Sequence, residues 1–154
     1  MTDDEKTEMD HKRIAIATFN ATWDLMDKDL RTADENDMMV HTAHASRYHW
    51  GQVGGPTEFE RGDWQISRVY ALLGRGEDAL HYAKHCLNTC EENGIGDFDL
   101  AFAYEAMARA YAIKENWTEV DRYTELAKDA AENIEDQGNR DYFLGELDNI
   151  PRMP

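Results

Sequence analysis

Residues 64–87 read WQISRVYALLGRGEDALHYAKHCL, and residues 105–128 read EAMARAYAIKENWTEVDRYTELAK. Aligned, the two stretches are offset by 41 residues (105 − 64). Tyr70 then falls on Tyr111, Ile66 on Met107, Ser67 on Ala108, Gly76 on Trp117, Ala79 on Val120, Ala83 on Thr124 and Cys86 on Ala127. Apolar residues recur at helical spacing on both sides of a short polar break, Gly74-Arg75-Gly76 in one copy and Glu115-Asn116 in the other. Small or apolar residues return where two antiparallel helices must approach closely. This is a helix hairpin used twice.

Working outward, the same period carries the rest of the chain. Helices are predicted over residues 8–32, 36–50, 58–73, 76–93, 98–115, 117–136 and 140–149. Thr57 with Glu60, and Asn116 with Glu119, have the spacing of helix-start caps, and Asp97 is placed to cap a third start. Gly74, Gly94 and Gly138 read as helix stops. Segment 51–56, Gly-Gln-Val-Gly-Gly-Pro, reads as a turn between helices. Prolines stand only at 56, 151 and 154, so none interrupts a helix between them. No alternating run bounded by hairpin turns suggests a strand. A further step of 41 back from Trp64 lands on Trp23, with Leu25 over Ile66, although Asp29 replaces the tyrosine.

Tyr70 and Gly74, followed by Ala79, Leu80, Tyr82, Ala83, Cys86 and Leu87, resemble a tetratricopeptide repeat. In that family an aromatic residue and a glycine end the first helix of each pair, and small residues line the second. The second copy departs from the pattern, with Glu115 at the glycine position and Val120 at the usual alanine. The resemblance implies an all-α fold of antiparallel helix pairs stacked as a short right-handed superhelix. It divides one domain, 1–154, into a degenerate first pair at 1–56, repeats at 57–97 and 98–137, and a capping helix at 138–154. It also implies a binding or scaffold role, because the first helix of each pair lines the concave groove in such arrays.

Composition narrows the partners. Sixteen basic against 32 acidic residues leave a formal charge of −16 and a pI near 4.6. That balance argues against nucleic acid, which calls for a basic stripe, and against an anionic membrane surface. No apolar run approaches the ~18 residues of a membrane-spanning helix, and Thr2–Asp10 is acidic rather than signal-like. A cytoplasmic protein is the expectation. Two cysteines, Cys86 and Cys90, are too few for a disulfide framework. Cys86 takes a packing position and behaves there as a small hydrophobe.

The candidate site residues follow from the groove. Arg61, Trp64 and Arg68 share one helical face, and Phe102, Glu105 and Arg109 occupy the same places 41 residues on. Three arginines and two aromatics would suit an acidic or carboxylate-bearing peptide, since the guanidinium fork matches a carboxylate. On this expectation Arg68 and Arg109 carry binding rather than folding. The competing expectation pairs Arg68 with Glu105 on the neighbouring helix. A secondary pocket is expected at His44, Tyr48 and Trp50, where an enzyme or small-molecule sensor would place its chemistry. His81 and His85 lie four apart, but the small-residue stripe turns them outward, and no metal or other cofactor is expected. Glu58, Glu60 and Asp63 read as ordinary complements to a helix N-terminus. No nucleophile elbow, phosphate loop or other catalytic constellation is legible. The sequence therefore points to a protein- or peptide-binding module, with self-association a further expectation because a short array has ends to cover.

Overall fold

The computed structural model describes residues 1–152. Seven helices run in order: α1 (Asp3–Met26), α2 (Ala33–Val53), α3 (Pro56–Leu72), α4 (Gly76–Glu92), α5 (Asp97–Ile113), α6 (Trp117–Ala131) and α7 (Gln137–Asp148), and the described residues contain no strand. The fold is all-α. Helices pair as α1 with α2, α3 with α4 and α5 with α6, and each pair packs on the next through α2 against α3 and α4 against α5. The first helices also touch one another in a row, α1 to α3, α3 to α5 and α5 to α7. That row positions the site described below.

The 41-residue period is written into the backbone. From Pro56 to Asp97, and from Gly76 to Trp117, the offset between helix starts is 41 residues. Gly74 ends α3 at φ +73°, and Glu115 ends α5 at φ +57°. The amide of Arg75 reaches back to the Tyr70 carbonyl at 2.9 Å, and that of Asn116 to the Tyr111 carbonyl at 3.0 Å. These bonds close the same left-handed helix ending in both copies. A non-glycine residue thus holds a glycine conformation.

Several starts and stops differ from expectation for local reasons. α1 begins at Asp3 because Thr2 and Glu5 form a reciprocal cap, and α2 begins at Ala33 because Thr32 and Glu35 do the same. α1 ends at Met26 rather than 32, where the Arg31 guanidinium donates to the carbonyls of Leu25, Met26 and Lys28. α2 continues to Val53, so only Gly54 and Gly55 remain of the expected 51–56 turn. At α3, Pro56 occupies the first turn and Glu58 accepts from the Gly55 amide at 3.2 Å; Thr57 and Glu60 form no cap. Asn116 does cap α6, accepting from the Glu119 amide at 3.4 Å. Asp97 is the first residue of α5, not its cap, and Gly138 lies inside α7 rather than at a stop.

Two apolar clusters form the interior. The larger joins Met39, Ala43, Ile66, Val69, Ala79, Ala83, Cys86 and Met107 across the first three pairs. The smaller gathers Ala101, Phe102, Ala127, Ala131, Ile134, Phe143 and Leu147 where α7 closes over α5 and α6. Met153 and Pro154, at the end of the expected capping segment, lie outside the described residues. Small side chains let the helices approach, and hydroxyls sew them together. Ser46 Oγ donates to the Ala15 carbonyl and Ser67 Oγ to the Ala79 carbonyl, each at 2.8 Å. Buried hydroxyls so partnered avoid the desolvation cost of an unmet donor.

Candidate functional site

The row of first helices encloses an open cavity of about 340 Å³. α1 contributes Phe19 and Trp23, α3 contributes Glu60, Arg61 and Trp64, α5 contributes Phe98, Asp99 and Phe102, and α7 contributes Tyr142. The rings form a continuous wall. Trp23 stacks on Trp64 at 5.8 Å between centroids, Trp64 meets Phe102 edge-on at 5.7 Å, and Phe102 meets Phe98 at 4.7 Å. Such arrangements are favourable for aromatic quadrupoles and leave the ring faces rigid. Trp23 and Trp64, matched by the 41-residue offset, are thus neighbours in space.

Polar groups are few and placed. Arg61, with 60% of its side chain exposed, pairs with Asp99 at 3.1 Å on the rim. The Trp64 indole Nε1–H is buried and has no acceptor among the described residues. A buried donor without a partner is costly.

The six groove residues separate into two sets. Arg61, Trp64 and Phe102 line the cavity. Arg68, Glu105 and Arg109 do not; they form a triad beneath it. Glu105 has no exposed surface, Arg68 donates to it at 3.3 Å, Arg109 at 2.7 Å, and Arg109 also reaches the Glu146 carbonyl at 3.2 Å. The Arg68 guanidinium lies over the Trp64 ring at 4.9 Å, so the triad braces one ring of the cavity wall. The pairing expectation for Arg68 holds, and the placement of both arginines off the folded framework does not. A buried glutamate one turn before Arg109 captures them.

The secondary set does not converge either. His44 Nε2 bonds the Tyr70 hydroxyl at 2.8 Å and packs on Tyr82; burial, and next the nearby His41, hold its imidazole below the usual histidine range. Tyr48 is 61% exposed. Trp50 lines a neighbouring cavity of about 270 Å³ with Ile16, Phe19, Glu58 and Arg61. Helical rotation explains the spread, since residues 44, 48 and 50 cannot all share a face with the same neighbour. His49 instead meets His11 on α1, the two Nδ1 atoms 2.8 Å apart. His81 and His85 are both exposed, as their position opposite the small-residue stripe predicts.

Sequence reasoning missed a buried acid cluster. Of the acids at the start of α3, only Glu58 serves the helix end; Glu60 and Asp63 turn into the interior. Asp63 pairs with Arg47 at 3.1 Å, although burial still raises its carboxyl above the ordinary range. Glu60 receives the Cys90 thiol at 3.2 Å, and burial, Asp99 and Cys90 push its carboxyl up to about 9. The surroundings of Glu60 therefore favour its neutral form. The neighbouring Cys86 thiol is raised by its hydrogen bond with Cys90 and by burial. A faint signal existed, because Glu60 lies on the same α3 face as Asp63 and Ser67, at spacings of three and seven.

Comparison with protein-family models, curated proteins and solved structures finds no match to this chain. The geometry of the site carries the functional argument.

Proposed function

We propose that the chain is a binding module built on tetratricopeptide-like helix pairs, and that its cavity captures an aromatic or branched apolar side chain from a peptide or protein segment. The supporting observation is the aromatic wall itself: the first helices of the three pairs, and α7 after them, each contribute a ring to one open concavity. Apolar concavities with a few convergent polar groups are where ligands are ordinarily held. Rigid rings lose little entropy when they are covered, which makes them efficient anchors.

The polar groups orient the guest. Arg61 at the rim offers donors to a carbonyl or carboxylate beside the anchor. With Arg68 and Arg109 committed to Glu105, the cavity floor is not a cationic patch. The anchor is therefore apolar, and charge acts only at the edge.

Short linear peptides displayed on phage and selected on the purified protein test this reading. Enriched peptides should share an aromatic or aliphatic anchor. Phe98→Ala should weaken them by about 2 kcal/mol or more, the scale of an interface hot spot, and Tyr48→Ala should leave them unchanged. Selection that yields no common anchor, or peptides indifferent to Phe98→Ala, would remove the cavity as the site.

A further inference from the structure

We propose that Glu60, Cys86 and Cys90 form a binding site for a soft divalent cation of the zinc class, held by two thiolates and one carboxylate. The site is independent of whether the cavity takes a peptide. One oxygen of Glu60 and the two sulfurs all lie within 4.8 Å of one another, and this is the one such set of three among the described residues. Cys90 Sγ is already 3.2 Å from Glu60 Oε2. Around a tetrahedral zinc, bonds of ~2.0–2.3 Å put neighbouring ligand atoms roughly 3.3–3.8 Å apart, so side-chain rotation alone brings the trio into range.

Position and chemistry agree. Cys86 and Cys90 stand one turn apart on α4 and project from the same face towards α3, where Glu60 completes the triangle. Two sulfurs with one oxygen select a borderline-soft ion over calcium or magnesium, which prefer all-oxygen shells. Glu60 also lines the aromatic cavity, so water on that side can take the fourth position. Loading exchanges three protons, two from thiols and one from the carboxyl, for one divalent ion. The loaded site carries a single negative charge beside the Arg61–Asp99 pair, whose two members stand 3.1 Å apart.

The site competes with a plain alternative, in which the three groups merely share protons in a buried hydrogen-bond chain. Cobalt(II) titration of the untagged, reduced, metal-free full chain separates the two. The site predicts one equivalent bound per chain with a thiolate-to-cobalt charge-transfer band that zinc(II) abolishes. Cys86→Ser and Cys90→Ser should each remove the band, and His81→Ala with His85→Ala should leave it intact. Because a buried cysteine variant can misfold, Glu60→Gln supplies the second arm. Its amide imitates the neutral carboxyl, so the helical circular dichroism should be unchanged while cobalt affinity falls by about tenfold or more. A folded wild-type protein with no sulfur band at saturating cobalt overturns the proposal. So does a folded Glu60→Gln protein that binds as tightly as wild type, or binding that survives loss of both cysteines.

Discussion

Glu105 has no exposed surface and holds two guanidinium groups, Arg68 at 3.3 Å and Arg109 at 2.7 Å. Removing both arginines would strand a carboxylate in the interior, and breaking such a buried set costs about 3–5 kcal/mol. Urea denaturation of the Arg68→Ala, Arg109→Ala double variant should show that loss; a midpoint equal to wild type would mean that Glu105 finds other partners. Glu60 behaves in the opposite way, because no cation is bonded to it. Its carboxyl rises from 4.5 in the unfolded chain to about 9 in the fold. The folded state therefore holds this proton more tightly. Its contribution is fully favourable below pH ~4.5 and is lost progressively as pH climbs through 9. In metal-free protein, Glu60→Gln should gain stability relative to wild type across that window and level off above it. Paired denaturation curves at pH 5, 7 and 9 check the sign.

The helix endings argue at the scale of the element. Gly74 and Glu115 are equivalent in the repeat and share a left-handed φ, +73° and +57°. A side chain pays for that conformation through its Cβ, at about 1 kcal/mol. Nothing lies within 4 Å of a Cβ built at Gly74, so Gly74→Ala isolates the backbone cost. Gly74→Ala should destabilise by about 1 kcal/mol, and Glu115→Gly should stabilise by a similar amount. Thermal unfolding of the two variants measures both; equal shifts of the same sign would contradict the shared ending. Capping is only partly legible from spacing. Thr2–Glu5 and Thr32–Glu35 follow the capping rule as well as Asn116–Glu119 does, whereas Thr57–Glu60 fits the spacing but Glu60 is drawn inward.

Across the whole molecule, α7 is what closes the array. Phe143 has no exposed surface and meets Phe102 edge-on at 4.8 Å, within the cluster that also buries Ala127, Ala131 and Ile134. Phe102 in turn forms part of the cavity wall. Phe143→Ala should therefore cost about 3–5 kcal/mol of stability. It should also loosen the cavity, read as increased exposure of Trp64 to a fluorescence quencher. A stability loss below 1 kcal/mol would show that α7 is dispensable to the core. No helix among the described residues is long and apolar enough to cross a membrane, and far-UV circular dichroism of the intact chain should be overwhelmingly helical.

The helices, their order and the 41-residue period are legible along the chain, because these depend on neighbours within about one turn. Apolar spacing, a Thr–Glu cap and a glycine stop are all local facts, and local facts are written consecutively. The offset brings the equivalents Arg61 and Phe102 to one wall, but Trp64 lines it while its equivalent Glu105 is buried off it. Which charges find partners depends on long-range packing. Arg61 meets Asp99, Arg68 meets Glu105 and Glu60 meets Cys90, partners 38, 37 and 30 residues apart. A carboxylate at a helix start looks the same on paper whether it faces water or the core. Burial, and the neighbour that burial supplies, make one acid a cap, another the anchor of two arginines and a third a neutral carboxyl beside two thiols.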